Sequence, residues 1–173
     1  MEKSLNETEQ NAMGNGPELS DGTAEKTEEK ENEQADMPQA YLTAKFGLPQ
    51  QELNRYSPLT LAYIGDAAFE IVVRTVLVRR ANQQVNKLHR LASSLVSAEH
   101  QSKMVGVLEE VFTGEEAHVY ERGRNAKAAT KAKNASITDY RRATGLEAVI
   151  GYLYLKGDYR RIVDLVELAL ERV

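Results

Sequence analysis

Two long apolar runs, each with an acid set in its interior, dominate the chain. The first is Leu59-Thr-Leu-Ala-Tyr-Ile-Gly-Asp-Ala-Ala-Phe-Glu-Ile-Val-Val73, with Asp66 at its middle. Ser57-Pro58 opens it as a helix start, since a serine oxygen accepts from the free amides and proline suits the first turn. The spacing predicts a helix from about Ser57 to Val78, apolar around most of its circumference and therefore buried. Asp66, Glu70 and Arg74 follow one another at i, i+4 and i+8, on one stripe. The second run is Ala143-Thr-Gly-Leu-Glu-Ala-Val-Ile-Gly-Tyr-Leu-Tyr-Leu155, with Glu147 inside it. Thr138 is its expected cap and Gly157 its stop.

The segments between and around these runs also read as helices. Val85, Leu88, Leu91, Ala92 and Leu95 recur at helical spacing, as do Met104, Val105, Leu108, Val111 and Phe112 behind a Ser97 cap. Thr113-Gly-Glu-Glu116 is a capping box for a helix that carries Val119 and runs to about Arg124. Asp158 opens a last helix with Ile162, Leu165, Val166, Leu168 and Ala169 inward. Tyr41, Leu42, Phe46 and Leu48 predict a short helix or turn laid on the core. With no alternating strand pattern and no internal repeat, the fold class is all-α. Gly65 and Gly151 interrupt helix interiors at a cost of about 1 kcal/mol each, which points to close helix approach.

Charge divides the chain. The net charge of −4 conceals 11 acids and 3 bases in residues 1–40, a net of −8, against 15 acids and 19 bases in residues 41–173, a net of +4. The first 40 residues hold almost no large apolar side chains and are expected to be a disordered acidic extension. Residues 41–173 form the expected single domain. The absence of cysteine excludes disulfides, thiolate metal sites and cysteine nucleophiles. No membrane span or signal peptide is visible, so a cytoplasmic location is expected. His89, His100 and His118 are too scattered for a ligand cluster. The most basic stretch lies between Tyr120 and Gly145, with seven bases and two acids, and its small residues predict a surface loop.

An acid inside an apolar helix needs a partner, because an unpaired buried charge costs several kcal/mol or takes up a proton. If the two apolar helices pack together, Asp66 and Glu147 converge. Hard oxygen ligands in a partly buried place suit Mg²⁺, which prefers carboxylates and retained water. A carboxylate-held metal beside Lys and Arg is the constellation of a phosphodiesterase acting on nucleic acid. Structural pairing competes with this reading: Asp66 and Glu70 with Arg74, and Glu147 with Arg141 or Arg142. Two other functions also compete. One is an all-α, Mg²⁺-dependent nucleotide pyrophosphohydrolase, although Glu109-Glu110 and Glu115-Glu116 look like surface pairs rather than its clustered acids. The other is a non-catalytic RNA-binding or ribosome-assembly factor.

Leu61-Ala-Tyr-Ile-Gly-Asp-Ala67 resembles the signature helix of the ribonuclease III family, and Glu147-Ala-Val-Ile-Gly151 resembles its second acidic helix. With Arg122-Gly-Arg-Asn-Ala-Lys127 and Tyr140-Arg141, the match over residues 55–173 is most similar to the Mini-ribonuclease III family, the short form without a double-stranded-RNA-binding domain. Further acids of the long enzymes are replaced here by Leu59, Ala62 and Thr144, as in the short form. The resemblance implies an all-helical, ribonuclease III-like homodimer that cleaves double-stranded RNA with Mg²⁺ and leaves 5′-phosphate ends. It also implies maturation of a 23S ribosomal RNA precursor, with a ribosomal protein or the assembling large subunit as a further partner. On this reading Asp66 and Glu147 are the catalytic and metal-binding acids, with Glu70 behind them. Arg122, Arg124, Asn125, Lys127, Lys131, Lys133 and Arg141 contact RNA, and Tyr63 and Phe69 lie at the dimer seam, with ordinary core packing as their competing role.

Overall fold

The computed structural model describes residues 38–127 and 136–173, so the acidic extension up to residue 37 and residues 128–135 lie outside it. Among the described residues seven α-helices follow in order: α1 Pro38–Lys45, α2 Pro58–Arg80, α3 Val85–Leu95, α4 Ala98–Leu108, α5 Gly114–Arg124, α6 Ile137–Lys156 and α7 Tyr159–Arg172, with a short 3₁₀ turn at Leu53–Arg55. Among the described residues there is no strand, and the all-α class holds. No described helix is long and apolar enough to cross a membrane.

Local chemistry sets most of the boundaries. The Ser57 hydroxyl accepts from the Thr60 amide at 3.1 Å, and Pro58 occupies the first turn of α2. Ser97 caps α4 in the same way. Thr113 and Glu116 form both halves of the capping box of α5. Gly157, at φ 83°, closes α6 in the left-handed conformation that glycine adopts without a Cβ penalty. Asp158 then caps α7. The cap of α6 differs from expectation: it is Ser136 rather than Thr138. The Ser136 hydroxyl accepts from the Asp139 amide at 3.0 Å and donates to the Asp139 carboxylate at 2.6 Å. This two-way contact starts the helix at Ile137, leaving Thr138 inside the first turn.

The centre of the fold is α6. Ala143, Thr144, Gly145, Leu146, Ala148, Val149, Ile150, Gly151 and Leu153 are all buried, covering nearly its whole circumference. It packs against α2, α4, α5 and α7. The α2 helix is less enclosed than its composition predicts. One face, carrying Leu61, Ala62, Gly65, Ala68, Phe69, Val72 and Val73, is buried. The opposite face exposes Leu59, Tyr63, Ile71 and Val78, forming an apolar stripe with no cover in the single chain.

Two glycines let α2 and α6 touch backbone to backbone. A Cβ on Gly65 would run into the carbonyl of Glu147, and one on Gly151 would run into the carbonyl of Leu61. The reciprocal pair admits no side chain on either helix, so it fixes their axial register. Gly123 of α5 approaches α6 in the same manner, its Cβ position lying 2.9 Å from the Gly145 Cα.

The segment before α2 departs from expectation. Tyr41, Leu42, Phe46 and Leu48 are exposed rather than laid on the core. The residue that does pack there is Tyr56. Helix α1 begins at Pro38 and so runs across the expected boundary at residue 40.

Candidate active site

The register of α2 and α6 decides which acids meet. Gly65 sits on the backbone of Glu147, so Asp66, one residue on, lies at the rim of the contact that Glu147 enters from the other side. Burial raises the pKa of Asp66 above its ordinary value, and the Glu70 charge raises it further. Glu147 is the more deeply set. Burial, and then the charge of Asp66, push its carboxyl up to about 8, against a smaller opposing effect of the Gln101 amide. Two carboxyls that each resist ionisation, one of them because of the other, are a site that lacks positive charge.

The competing structural pairings separate cleanly. Arg74 takes Glu70, at 2.6 Å, and not Asp66. Arg142 reaches toward Glu109, at 3.9 Å, and not toward Glu147. Among the described residues neither Asp66 nor Glu147 forms an ion pair. Glu70 is therefore adjacent to Asp66 electrostatically while its own carboxylate is held by Arg74. Where the long enzymes carry further acids, Leu59 is exposed, Ala62 is buried, and Thr144 donates its hydroxyl to the Tyr140 carbonyl at 2.9 Å.

Gln101 of α4 lies beside Glu147, and sequence reasoning missed it. Its side chain is 1% exposed. Its amide nitrogen donates to the Val96 carbonyl at 3.3 Å, and the amide lies near enough to Glu147 to oppose, weakly, the rise of its pKa. Its carbonyl oxygen has no partner. A signal was present: residues 101, 104, 105 and 108 share one helical face, so Gln101 is a polar residue on the otherwise apolar stripe of Met104, Val105 and Leu108.

No group of three or more His, Cys, Asp or Glu among the described residues is placed to hold a metal. The ionisable groups that meet here are the two carboxylates of Asp66 and Glu147. Such a set is too small to enclose an ion, but it matches one that keeps most of its water, as Mg²⁺ does.

The expected RNA contacts divide into two kinds. Arg122 donates to the Tyr56 carbonyl at 3.1 Å, tying α5 to the segment before α2. Arg124 lies over the Tyr120 ring at 5.7 Å. By contrast, Asn125, Lys127 and Arg141 are exposed, at the end of α5 and the start of α6. Lys131 and Lys133 lie outside the described residues. The dimer-seam pair also splits. Tyr63 is 82% exposed, whereas Phe69 is 1% exposed and belongs to the chain's own core, with no surface to offer a second copy.

The ribonuclease III domain matches residues 59–158, the span that contains both apolar helices. Mini-ribonuclease 3 of Clostridium tetani is 45% identical over 122 residues, covering 70% of this chain and 81% of that protein. Mini-ribonuclease 3 of Staphylococcus aureus is 45% identical over 112 residues, covering 64% and 84%. The crystal structure of protein FN1578 from Fusobacterium nucleatum superposes with a TM-score of 0.63 at 24% identity, over 70% of this chain and 98% of that one. It supports the fold alone. The chain belongs to the ribonuclease III family, in its short Mini-ribonuclease 3 form. It is an endoribonuclease, and the pyrophosphohydrolase and non-catalytic alternatives are set aside.

Proposed function

We propose that the chain cleaves double-stranded RNA with Mg²⁺ as a homodimer, leaving 5′-phosphate and 3′-hydroxyl ends, and that its natural substrate is a 23S ribosomal RNA precursor in the cytoplasm. The observation that carries the metal-dependent chemistry is the unpaired Asp66–Glu147 couple on two helices whose register admits no slip.

Asp66 and Glu147 would hold the ion, directly or through water, with Gln101 behind Glu147 and Glu70 beside Asp66. Bound Mg²⁺ lowers the pKa of a water and neutralises charge on the phosphate. Glu147 would hold the ion as a carboxylate, having released its proton to solvent. Asn125, Lys127 and Arg141 face solvent and would contact a duplex, and Lys131 and Lys133, outside the described residues, are assigned the same role from the sequence. These side chains would grip backbone phosphates, so recognition would follow A-form shape more than sequence. The exposed stripe of Leu59, Tyr63, Ile71 and Val78 is the surface on which a second copy would pack.

Long duplex RNA incubated with the protein should be cut in Mg²⁺ and left intact in EDTA. Asp66→Asn should abolish cleavage while RNA binding persists. Undiminished turnover by that variant would remove the metal role from Asp66. Single-stranded RNA cut as fast as duplex would overturn the substrate assignment.

A further inference from the structure

Gln101 presents an unusual hydrogen-bond balance. A carboxamide has two N–H donors and an oxygen acceptor with two lone pairs. Here the nitrogen donates to the Val96 carbonyl, the amide lies near enough to Glu147 to favour its charged form, and the buried oxygen receives nothing. Buried polar atoms in folded proteins nearly always have a partner, and ordered water is the usual one where protein supplies none. The residue sits on the apolar stripe of α4, where leucine or methionine would pack without any unmet polar atom. Val96 alone does not explain it, because that bond leaves the oxygen unserved. What distinguishes this position is contact with Glu147.

We propose that Gln101 is a positioning residue of the metal site: its N–H groups orient the Glu147 carboxylate, and its carbonyl oxygen accepts a hydrogen bond from a water in the ion's shell. This rests on the metal role of Asp66 and Glu147 proposed above. With few acids to fill the shell, the site leaves most of it to water, and a fixed neutral acceptor orders one of those waters without adding charge. Partners of this kind, standing behind the direct ligands, typically change metal affinity by about 10–100-fold when removed.

The test is Mg²⁺ binding by calorimetry on metal-stripped full-length chain, read beside thermal melting in EDTA. Gln101→Met keeps the volume and removes both polar groups. It should weaken Mg²⁺ binding about 10–100-fold while the melt in EDTA moves little or rises. Gln101→Glu keeps the shape and the oxygen and adds a charge, and it should bind Mg²⁺ more tightly than Gln101→Met. Unchanged Mg²⁺ affinity in both variants, with only the melting temperature lowered, would show a purely structural glutamine and overturn the proposal. If Gln101→Met does not fold, Gln101→Glu decides, since affinity equal to that of the parent chain also overturns it. Asp66→Asn separates the two levels. If it abolishes binding while the Gln101 variants leave it unchanged, only the glutamine's role fails. If it binds Mg²⁺ like the parent chain, the metal site itself fails.

Discussion

Glu116, buried, and Glu147, half-buried, belong to the same small domain and end in opposite electrostatic states. Glu116 is 3% exposed. Burial works to raise its pKa, but the Arg161 guanidinium, the Thr113 amide and the Arg161 and Lys156 charges outweigh burial, and the net shift is downward. Arg161 grips it through two nitrogens, each at 2.9 Å, and gives a further bond to the Val111 carbonyl at 2.7 Å. That clamp fastens the start of α5 to α7. Among the described residues Glu147 has no cation, only a neighbouring acid and the weaker opposing effect of the Gln101 amide, and its carboxyl is pushed up to about 8. Burial alone therefore does not mark a functional acid. What marks Glu147 is desolvation that no cation among the described residues balances, and that an external cation would balance.

Exchanging the fates of the two acids gives the largest expected effects. Glu147→Gln should lower duplex cleavage by on the order of a thousandfold, the equivalent of about 4 kcal/mol of transition-state stabilisation, in single-turnover assays. The same change should leave the fold intact, since a neutral amide replaces a group already held near neutral. Arg161→Met should do the reverse. It strands the Glu116 carboxylate and should cost on the order of 3 kcal/mol, lowering the melting temperature by roughly 6–12 °C. Below that melt it should cleave at close to the parent rate. Equal losses of activity in the two variants would erase the distinction.

A second break concerns pH, because the two acids carry opposite signs. The folded-state pKa of Glu147 is raised from 4.5 to about 8. Its contribution to stability in metal-free protein is thus complete below about 4.5 and is lost as pH rises toward 8, a change of a few kcal/mol. The pKa of Glu116 is lowered, so its contribution is present above 4.5 and is lost as pH falls through its folded value. Denaturant melts in EDTA across this range should show stability declining from pH 5 to pH 8, and Glu147→Gln should flatten the decline. In the same window Mg²⁺ binding must displace the proton on Glu147, so affinity should fall about tenfold per pH unit below 8.

These contrasts also mark what a linear reading of the chain reaches. Ser57-Pro58, the Thr113 box, Gly157 and Asp158 were legible because caps act within three or four residues. The Gly65 and Gly151 contact was legible because glycine inside a helix needs a reason, and so were the two apolar helices that bear Asp66 and Glu147. Ser136 and Thr138 are near-equivalent caps in sequence, and the Asp139 carboxylate returning to the Ser136 hydroxyl decides between them. The exposed stripe of α2 was illegible, because periodicity cannot tell a face covered by its own chain from one left open. The Glu116–Arg161 clamp spans 45 residues and exists only in the folded chain. Gln101 was overlooked because glutamine is ordinarily a surface residue, and its place on the α4 stripe outweighs that prior.

The smallest effects are expected among the arginines, which repeat the contrast on the RNA side. Arg122 is held by the Tyr56 carbonyl at 3.1 Å, and Arg141 is exposed on the first turns of α6. A charged donor to a backbone carbonyl is worth about 1.5–3 kcal/mol, so Arg122→Ala should lower the melting temperature measurably. Arg141→Ala should leave stability within about 0.5 kcal/mol, as surface changes usually do. Its effect belongs instead to RNA binding measured against salt. Each phosphate neutralised contributes about 0.9 to the slope of log affinity on log salt, so Arg141→Ala should reduce the slope by about one. The Arg122 variant, once folded, should change that slope less than Arg141→Ala does, because the Arg122 guanidinium is half-buried and already engaged by the Tyr56 carbonyl. A slope lowered as far in Arg122→Ala would mean that its side chain leaves Tyr56 when RNA arrives, and the division between structural and RNA-facing arginines would have to be redrawn at that residue.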